Sequence, residues 1–453
     1  MNFSKNFQIY LFLFLSASLI ITNANALPAL PNPFLSGEQL RESILADTTN
    51  PFHEMVSSEI GHYLQVPLDH GEPNSAKIAI YYFTEKVFDP QLPTLLFFPG
   101  GPGGSGHYNK AFHALHDWNV IFMDYRGIGL SFPASVEVLR TTRYFTSENV
   151  ARDARLIAKE LGADKVTVYG HSYGTVTANI FASLFPDMTR SVILEGIVYQ
   201  GDEQLWSSSH RQKILQKFFN KLDAEMQDEI IRLSNLPGAN KSWFSRMGQQ
   251  MMYQNNFEDE FLMRLIHLIG SSDTEKLESV STDFDSGIIN MDMLLFSANF
   301  FLHVACKELS ALDQFASFNF AFEGRELKPI DQPVIRNACA EMNIDASLVK
   351  TYRATNYKVS VPVFYIQGTM DGATTAPSGI WHYKYVPTGT AQLFLIKKAG
   401  HSPLYSELQN KFNLNQELYL QLFRSMLNGI QIPKGHFKKD FAPLLKNWVT
   451  TLK

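Results

Sequence analysis

Three residues of the 453-residue chain, Ser172, Asp371 and His401, have the types and the order that nucleophilic acyl transfer needs. A serine hydroxyl is a poor nucleophile at neutral pH. It requires a base, an acid that orients the base, and donors for the oxyanion that forms. In that scheme His401 takes the proton from Ser172 and later gives it to the leaving group, while Asp371 holds the imidazole in one tautomer. The oxyanion falls to two backbone N–H groups, that of Tyr173 beside the nucleophile and that of Gly101 in the loop Pro99-Gly-Gly101-Pro102-Gly-Gly104-Ser-Gly106. Pro102 has no N–H and contributes none. This chemistry needs no cofactor and no metal.

Each of these residues requires an element to hold it. Val166-Thr-Val-Tyr169 reads as a buried strand and Thr175 to Ala182 as the start of a helix, with Gly170-His-Ser172-Tyr-Gly174 between them. Only a sharp turn exposes a serine at such a junction, and the two glycines allow it because a Cβ at either would meet the neighbouring strand or helix. His171 is next to the nucleophile in sequence but points elsewhere, so it is not counted as catalytic. Asp371 lies just beyond the strand Pro362–Gly368, and His401 just beyond the strand Gln392–Lys397. Upstream, His62–Val66 and Lys77–Phe83 form an antiparallel hairpin, and from Leu95 on strands alternate with helices. This pattern predicts an α/β chain with a mostly parallel, doubly wound sheet covered on both faces. Arg126, after the strand-end Asp124, reads as a tie between loops.

The glycine loop also fits a different chemistry. Gly101-x-Gly103-x-x-Gly106 satisfies a dinucleotide fingerprint, and Asp124 stands about twenty residues on, where a ribose-binding acid belongs. That reading leaves Ser172, Asp371 and His401 unexplained, and Pro102 stiffens the turn where a pyrophosphate must approach.

The segments GGPGGSG at Gly100–Gly106, DYRGIGLS at Asp124–Ser131, GHSYG at Gly170–Gly174, DG at Asp371 and GHSP at Gly400–Pro403 together resemble the prolyl iminopeptidase and tripeptidyl aminopeptidase group of α/β-hydrolases. Where many members carry a histidine before the glycines this chain has Pro99, which leaves the backbone role of the loop intact. The resemblance implies an α/β-hydrolase fold with an inserted helical cap, and an aminopeptidase that cleaves one residue or a short peptide from a free N-terminus. It further implies carboxylates for the substrate's amine: Glu203, three residues before Trp206, and Glu308 in Cys306-Lys-Glu308. An acid in the first turn of a helix also serves the helix dipole without any ligand. A carboxylesterase or lipase acting on small acyl esters uses the same triad, and only the cap separates the two activities.

Residues 1–26 combine one lysine, an apolar run from Ile9 to Ile21 and the small residues Ala24-Asn25-Ala26, the pattern of a signal peptide cleaved after Ala26. The expected product is secreted or periplasmic, without stable membrane insertion. Residues 27–59 read as a proline-broken linker or strap, 60–200 as the first part of the hydrolase core, 201–355 as the helical cap and 356–453 as the second part of the core. Helical spacing in the cap is expected at Glu203–Leu222, Phe257–Ile269, Met291–Phe315 and Asp331–Ala338. Cys306 and Cys339, the two cysteines of an exported chain, most simply form a disulfide. Such a closure stabilises the cap by about 3–4 kcal/mol on a chain-entropy basis. Asn240-Lys-Ser242 is a glycosylation sequon relevant only in a eukaryotic secretory route. With 45% hydrophobic residues, 18% charged and a net charge of −5, the chain can bury a full core plus a cap, and nucleic acid is not an expected partner. The expected partner is a peptide or small acyl substrate.

Overall fold

The computed structural model describes residues 36–50, 52–72, 74–109, 112, 115–131, 144–199, 208–276, 300, 303–309, 319–330, 351–409, 416–433, 435, 441 and 448–452. The expected signal peptide, Glu203, Trp206, Cys339, the Asp331–Ala338 helix and most of the Met291–Phe315 helix lie outside the described residues.

Eleven strands are described: β1 (Ile60–Pro67), β2 (Lys77–Thr84), β3 (Thr94–Phe98), β4 (Asn119–Met123), β5 (Val166–His171), β6 (Thr189–Glu195), β7 (Asn319–Glu323), β8 (Glu326–Ile330), β9 (Val363–Gly368), β10 (Ala391–Ile396) and β11 (Trp448–Leu452). Nine form one sheet in the order β1-β2-β4-β3-β5-β6-β9-β10-β11. The stretch from β4 to β10 is parallel throughout, while β1 pairs antiparallel with β2, β2 with β4, and β11 with β10. The leading hairpin and the doubly wound parallel centre are those the sequence predicts.

Side-chain alternation explains why the sheet carries helices on both sides. Along β3, Leu96 and Phe98 belong to one apolar core and Leu95 and Phe97 to another. The first core holds residues of the Ser147–Glu160 and Gly174–Leu184 helices, and the second those of the Pro403–Gln409 and Gln416–Leu427 helices. Every residue of β3, β4 and β5 is buried, as a strand covered on two faces must be.

Between β6 and β9 runs a long insertion with its own apolar cluster. Its described helices are Ser208–Phe219, Ala224–Ser234, Trp243–Met251 and Phe257–Ile269. The insertion also contains the hairpin β7/β8, which a reading in terms of helices alone omits; its turn uses Gly324 at φ +62°. Val304–Glu308 forms a single π-helical turn. The N-terminal strap differs from expectation as well. Gly37–Ala46 is a helix with a reciprocal capping box between Ser36 and Gln39, and Ile44 enters the sheet's second core. The prolines at 33 and 51 flank this helix and leave its interior free. Among the described residues no helix is long and apolar enough to cross a membrane.

Two buried ionic clusters tie the edge of the sheet to the loops above it. Arg126 is fully buried, donates to both carboxylate oxygens of Asp153 at 2.6 and 2.8 Å, and also binds the carbonyls of Leu68 and Tyr144. It is therefore the loop tie that its position predicts. His107 lies between Glu59, 2.9 Å from Nε2, and Ser105, 2.8 Å from Nδ1, with Asp124 just beyond at 3.6 Å. Burial opposes its charge, but Asp124 and Glu59 outweigh that and hold the imidazole up at about 9. A folded-state value above the unfolded one near 6.5 contributes stability that is complete below pH 6.5 and is lost as pH rises through about 9. The urea midpoint of the wild type should therefore exceed that of His107→Gln most at pH 6, with the margin shrinking by pH 10. A margin constant over that range contradicts a protonated His107.

Candidate active site

Ser172 stands at the end of β5 with φ +56°, a left-handed conformation rare for a residue with a side chain. The packing around it makes that conformation obligatory. A Cβ on Gly174 would lie 2.0 Å from the Phe98 carbonyl oxygen of β3, and one on Gly170 would lie 2.4 Å from the Gly174 oxygen and 2.8 Å from Ala178 Cβ. Strand and helix thus meet at a separation only glycine permits. The turn is pinned by the Ser172 N–H on the Glu195 carbonyl at 2.8 Å, and by the Thr175 N–H and hydroxyl on the Ser172 carbonyl at 2.9 and 2.6 Å.

Asp371 and His401 follow β9 and β10 and come together as predicted. The Asp371 carboxylate accepts the N–H groups of Ala373 and Thr374 on Oδ1, at 2.8 and 3.0 Å. Its Oδ2 accepts from Thr374 Oγ1 at 2.9 Å, Gln367 Nε2 at 3.0 Å and His401 Nδ1 at 2.9 Å. An ionised carboxylate only accepts, so Nδ1 carries the imidazole proton and Nε2 is left with its lone pair, the tautomer a general base requires. Nε2 is buried and has no hydrogen-bond partner among the described residues, Ser172 Oγ included. Room for the ring comes from Gly196, at φ +62°, where a Cβ would fall 2.8 Å from His401 Cε1.

The glycine loop faces the nucleophile from the other side. A Cβ on Gly100 would sit 2.8 Å from Ser172 Cβ and 3.4 Å from its Oγ. Tyr125 holds the loop's origin by donating to the Pro99 carbonyl at 3.0 Å. Gly101 follows at φ +132°, and among the described residues neither its N–H nor that of Tyr173 makes a hydrogen bond. Two uncommitted donors at these positions suit an oxyanion. Asp124, the acid of the nucleotide alternative, is spent within the loops: it accepts Ser105 Oγ at 2.5 Å, the Gly106 N–H at 2.9 Å and the Leu130 N–H at 2.8 Å. Both carboxylate oxygens are thus engaged by the loops, and Asp124 is fully buried.

Four residues to which the sequence alone gave no part in the site, His171 among them, surround Asp371 and His401. His171 turns away from Ser172 as expected, but its ring lies edge-on to His401 at 4.9 Å, stacks on Tyr405 and bonds Ser402 Oγ at 2.7 Å. Burial, helped by His401, keeps it well below the ordinary histidine range, so it braces the catalytic ring as a neutral imidazole. Glu195 is fully buried and takes the N–H of Leu404 at 2.6 Å, fixing the start of the helix that follows His401. Burial raises its carboxyl to about 7. Arg211 reaches from the insertion to the carbonyls of Gly372 and Ala373, the latter at 2.7 Å, and so clamps the loop of Asp371. Tyr253, also from the insertion, packs edge-on against His401 with ring centres 5.1 Å apart. Their partners lie at long sequence separations, where local spacing carries no signal.

The expected substrate carboxylates are placed less simply. Glu308 is buried, with burial raising it to about 7, and both its oxygens are taken by Ser147, one by the N–H at 2.8 Å and the other by the hydroxyl. It thereby caps the Ser147–Glu160 helix and, through Ser147 Oγ, reaches the Tyr173 hydroxyl at 2.6 Å. It also borders a cavity of about 640 Å³ that no triad residue lines. Cys306 is buried beside it. Among the described residues no group of three His, Cys, Asp or Glu is arranged to hold a metal ion.

Residues 93–408 match the family model described as the α/β-hydrolase fold. Curated relatives include a proline iminopeptidase of Aeromonas sobria, 27% identical over 45% of this chain and 56% of its own length. Others are the serine protease Hip1 of Mycobacterium tuberculosis, 24% identical over 39% of this chain and 43% of its own, and a tripeptidyl aminopeptidase of Streptomyces lividans, 24% identical over 32% and 36%. The chain thus spans about half or less of the length of these relatives.

Replacing Ser172 by alanine should lower kcat/KM roughly 10⁴- to 10⁶-fold while leaving the thermal unfolding midpoint in place. A loss below tenfold would mean that another group attacks the substrate.

Proposed function

We infer, for a chain that belongs to the α/β-hydrolase family, that it is an exported serine peptidase releasing one residue or a short peptide from free N-termini through an acyl-enzyme on Ser172. The observation that carries this reading is the His401 imidazole, whose Nδ1 lies 2.9 Å from Asp371 while Nε2 finds no partner among the described residues, in the same sheet whose β5 ends in a strained Ser172. The names of these three relatives, each a peptidase, favour amide over ester substrates.

In this reading His401 Nε2 accepts the Ser172 proton as Oγ attacks the scissile carbonyl, and the N–H groups of Gly101 and Tyr173 receive the oxyanion. His401 then protonates the leaving amine. Water repeats the sequence on the acyl-enzyme and frees the N-terminal piece. The insertion acts as the cap that chooses the substrate, and Arg211 couples its seating to the loop of Asp371. Glu203 is the carboxylate assigned to the substrate's ammonium, because a buried cation needs a paired charge. Glu308, with both oxygens on Ser147, supports Tyr173 instead. Export follows from the N-terminal 26 residues, and a Cys306–Cys339 disulfide would brace the cap in an oxidising compartment.

Matched chromogenic substrates test the reading: prolyl, alanyl and tripeptidyl amides with free amines, the same compounds with blocked amines, and a short-chain ester. Turnover of the free amides that is lost on blocking is the expected result, with Glu203→Gln weakening free-amine substrates more than the ester. Turnover of the ester alone makes the protein a carboxylesterase. Equal losses on both substrates would place Glu203 in a structural role.

A further inference from the structure

The helix Trp243–Met251 presents two faces that the fold treats in opposite ways. Phe244, Gly248 and Met251 lie on one side, against the insertion's own core: Phe244 contacts the rings of Phe219 and Phe261 at 5.9 and 5.1 Å. A Cβ on Gly248 would fall 2.2 Å from the Leu215 side chain. At 3.6 residues per turn, Arg246, Gln249 and Gln250 then lie on the opposite side, and Tyr253 in the following turn continues their row. A polar face directed away from a core is normally wet. Here it is buried, with Arg246 5%, Gln249 4% and Gln250 2% exposed.

The row leads to the triad. The Tyr253 N–H donates to the Gln250 carbonyl at 3.1 Å, and the Tyr253 ring meets the His401 imidazole at 5.1 Å with a 74° interplanar angle. The Tyr253 carbonyl in turn accepts the His401 N–H at 3.4 Å. Gln250 therefore stands one turn of chain from the ring that touches the general base. Yet Gln250 Nε2, the Tyr253 hydroxyl and Asn255 Oδ1 are buried with no hydrogen-bond partner among the described residues. Buried amides and hydroxyls are almost always paired, and a group of unpaired ones beside a catalytic residue marks a surface whose partners come from a ligand.

We propose that Gln250 and Tyr253 form a strip that binds the main chain of the substrate's acyl segment, the residues on the amino-terminal side of the scissile bond. A carboxamide offers a donor and an acceptor side by side, which match the N–H and C=O of a peptide and take no account of its side chains. Tyr253, against His401, serves the peptide group nearest the bond that breaks. Gln250, further along the helix, serves one more remote. Binding energy from such remote groups is expressed in kcat/KM, so the strip selects acyl segments by the number of peptide groups they carry. The inference rests on the peptidase reading given above.

The test compares wild type with Gln250→Leu and with Tyr253→Phe on free-amine arylamides of one, two and three residues and on a short-chain ester. Gln250→Leu should lower kcat/KM on the tripeptidyl amide roughly tenfold more than on the ester, with the deficit growing from one residue to three. Tyr253→Phe removes one oxygen and keeps the ring against His401, so it carries the same test should Gln250→Leu fail to fold. Losses that are equal across the series, ester included, or no loss in either variant, overturn the strip and leave the peptidase reading standing. Failure of the wild type to turn over any of the amides overturns both.

Discussion

A serine held at φ +56° is strained by an amount of order 1–3 kcal/mol, and it persists only where its surroundings permit nothing else. Here the constraint is steric. The helix after Ser172 approaches β3 so closely that Gly174 has its α-carbon against the Phe98 carbonyl, and Gly170 is pressed on the first turn of the same helix. Once these contacts form, Ser172 is held in this conformation, and its hydroxyl stays at the end of β5 facing the glycine loop. The long apolar strands, the helices on both faces and the order of the sheet all serve to bring those two backbones together.

Around that elbow the fold uses buried acids as anchors for loops. Asp124 gathers the N–H groups of Gly106 and Leu130, Asp371 those of Ala373 and Thr374, Glu195 that of Leu404, and Glu308 that of Ser147. Each satisfies backbone donors that a buried loop or helix start would otherwise leave unpaired. The common device has divergent outcomes. Asp371 shares one oxygen with His401, whereas Asp124 holds loop N–H groups and Glu308 a helix start. The insertion joins this scheme through Arg211 on the Asp371 loop and Tyr253 on His401, so that its seating and the alignment of the triad are mechanically one event.

Much of this was legible in the chain itself. The triad and the parallel strands were readable because each depends on local pattern: an apolar run, a glycine, then a reactive side chain. The glycines of the elbow were readable for the same reason. The hairpin β7/β8 was not, since its strands mix polar and apolar residues within a helical stretch, and the Gly37–Ala46 helix was hidden by the prolines around it although Ser36 and Gln39 spell its cap. Arg211 and Gln250 sit on helices where a polar residue ordinarily faces water, and only packing reveals that these are buried. For Glu308 a short motif suggested a ligand, and only the structure shows that both its oxygens also meet Ser147 at a helix start. Export and the Cys306–Cys339 pair rest on the sequence alone.

If the fold isolates Ser172 as a nucleophile, covalent labelling will find it. The purified protein would be treated with a small fluorophosphonate, which mimics the acyl transfer step and stays on the attacking oxygen, and the adduct would be located by mass spectrometry of the digested chain. One equivalent of label on Ser172 is expected, with labelling abolished in His401→Ala. Absence of an adduct, or an adduct on any other residue, would contradict it.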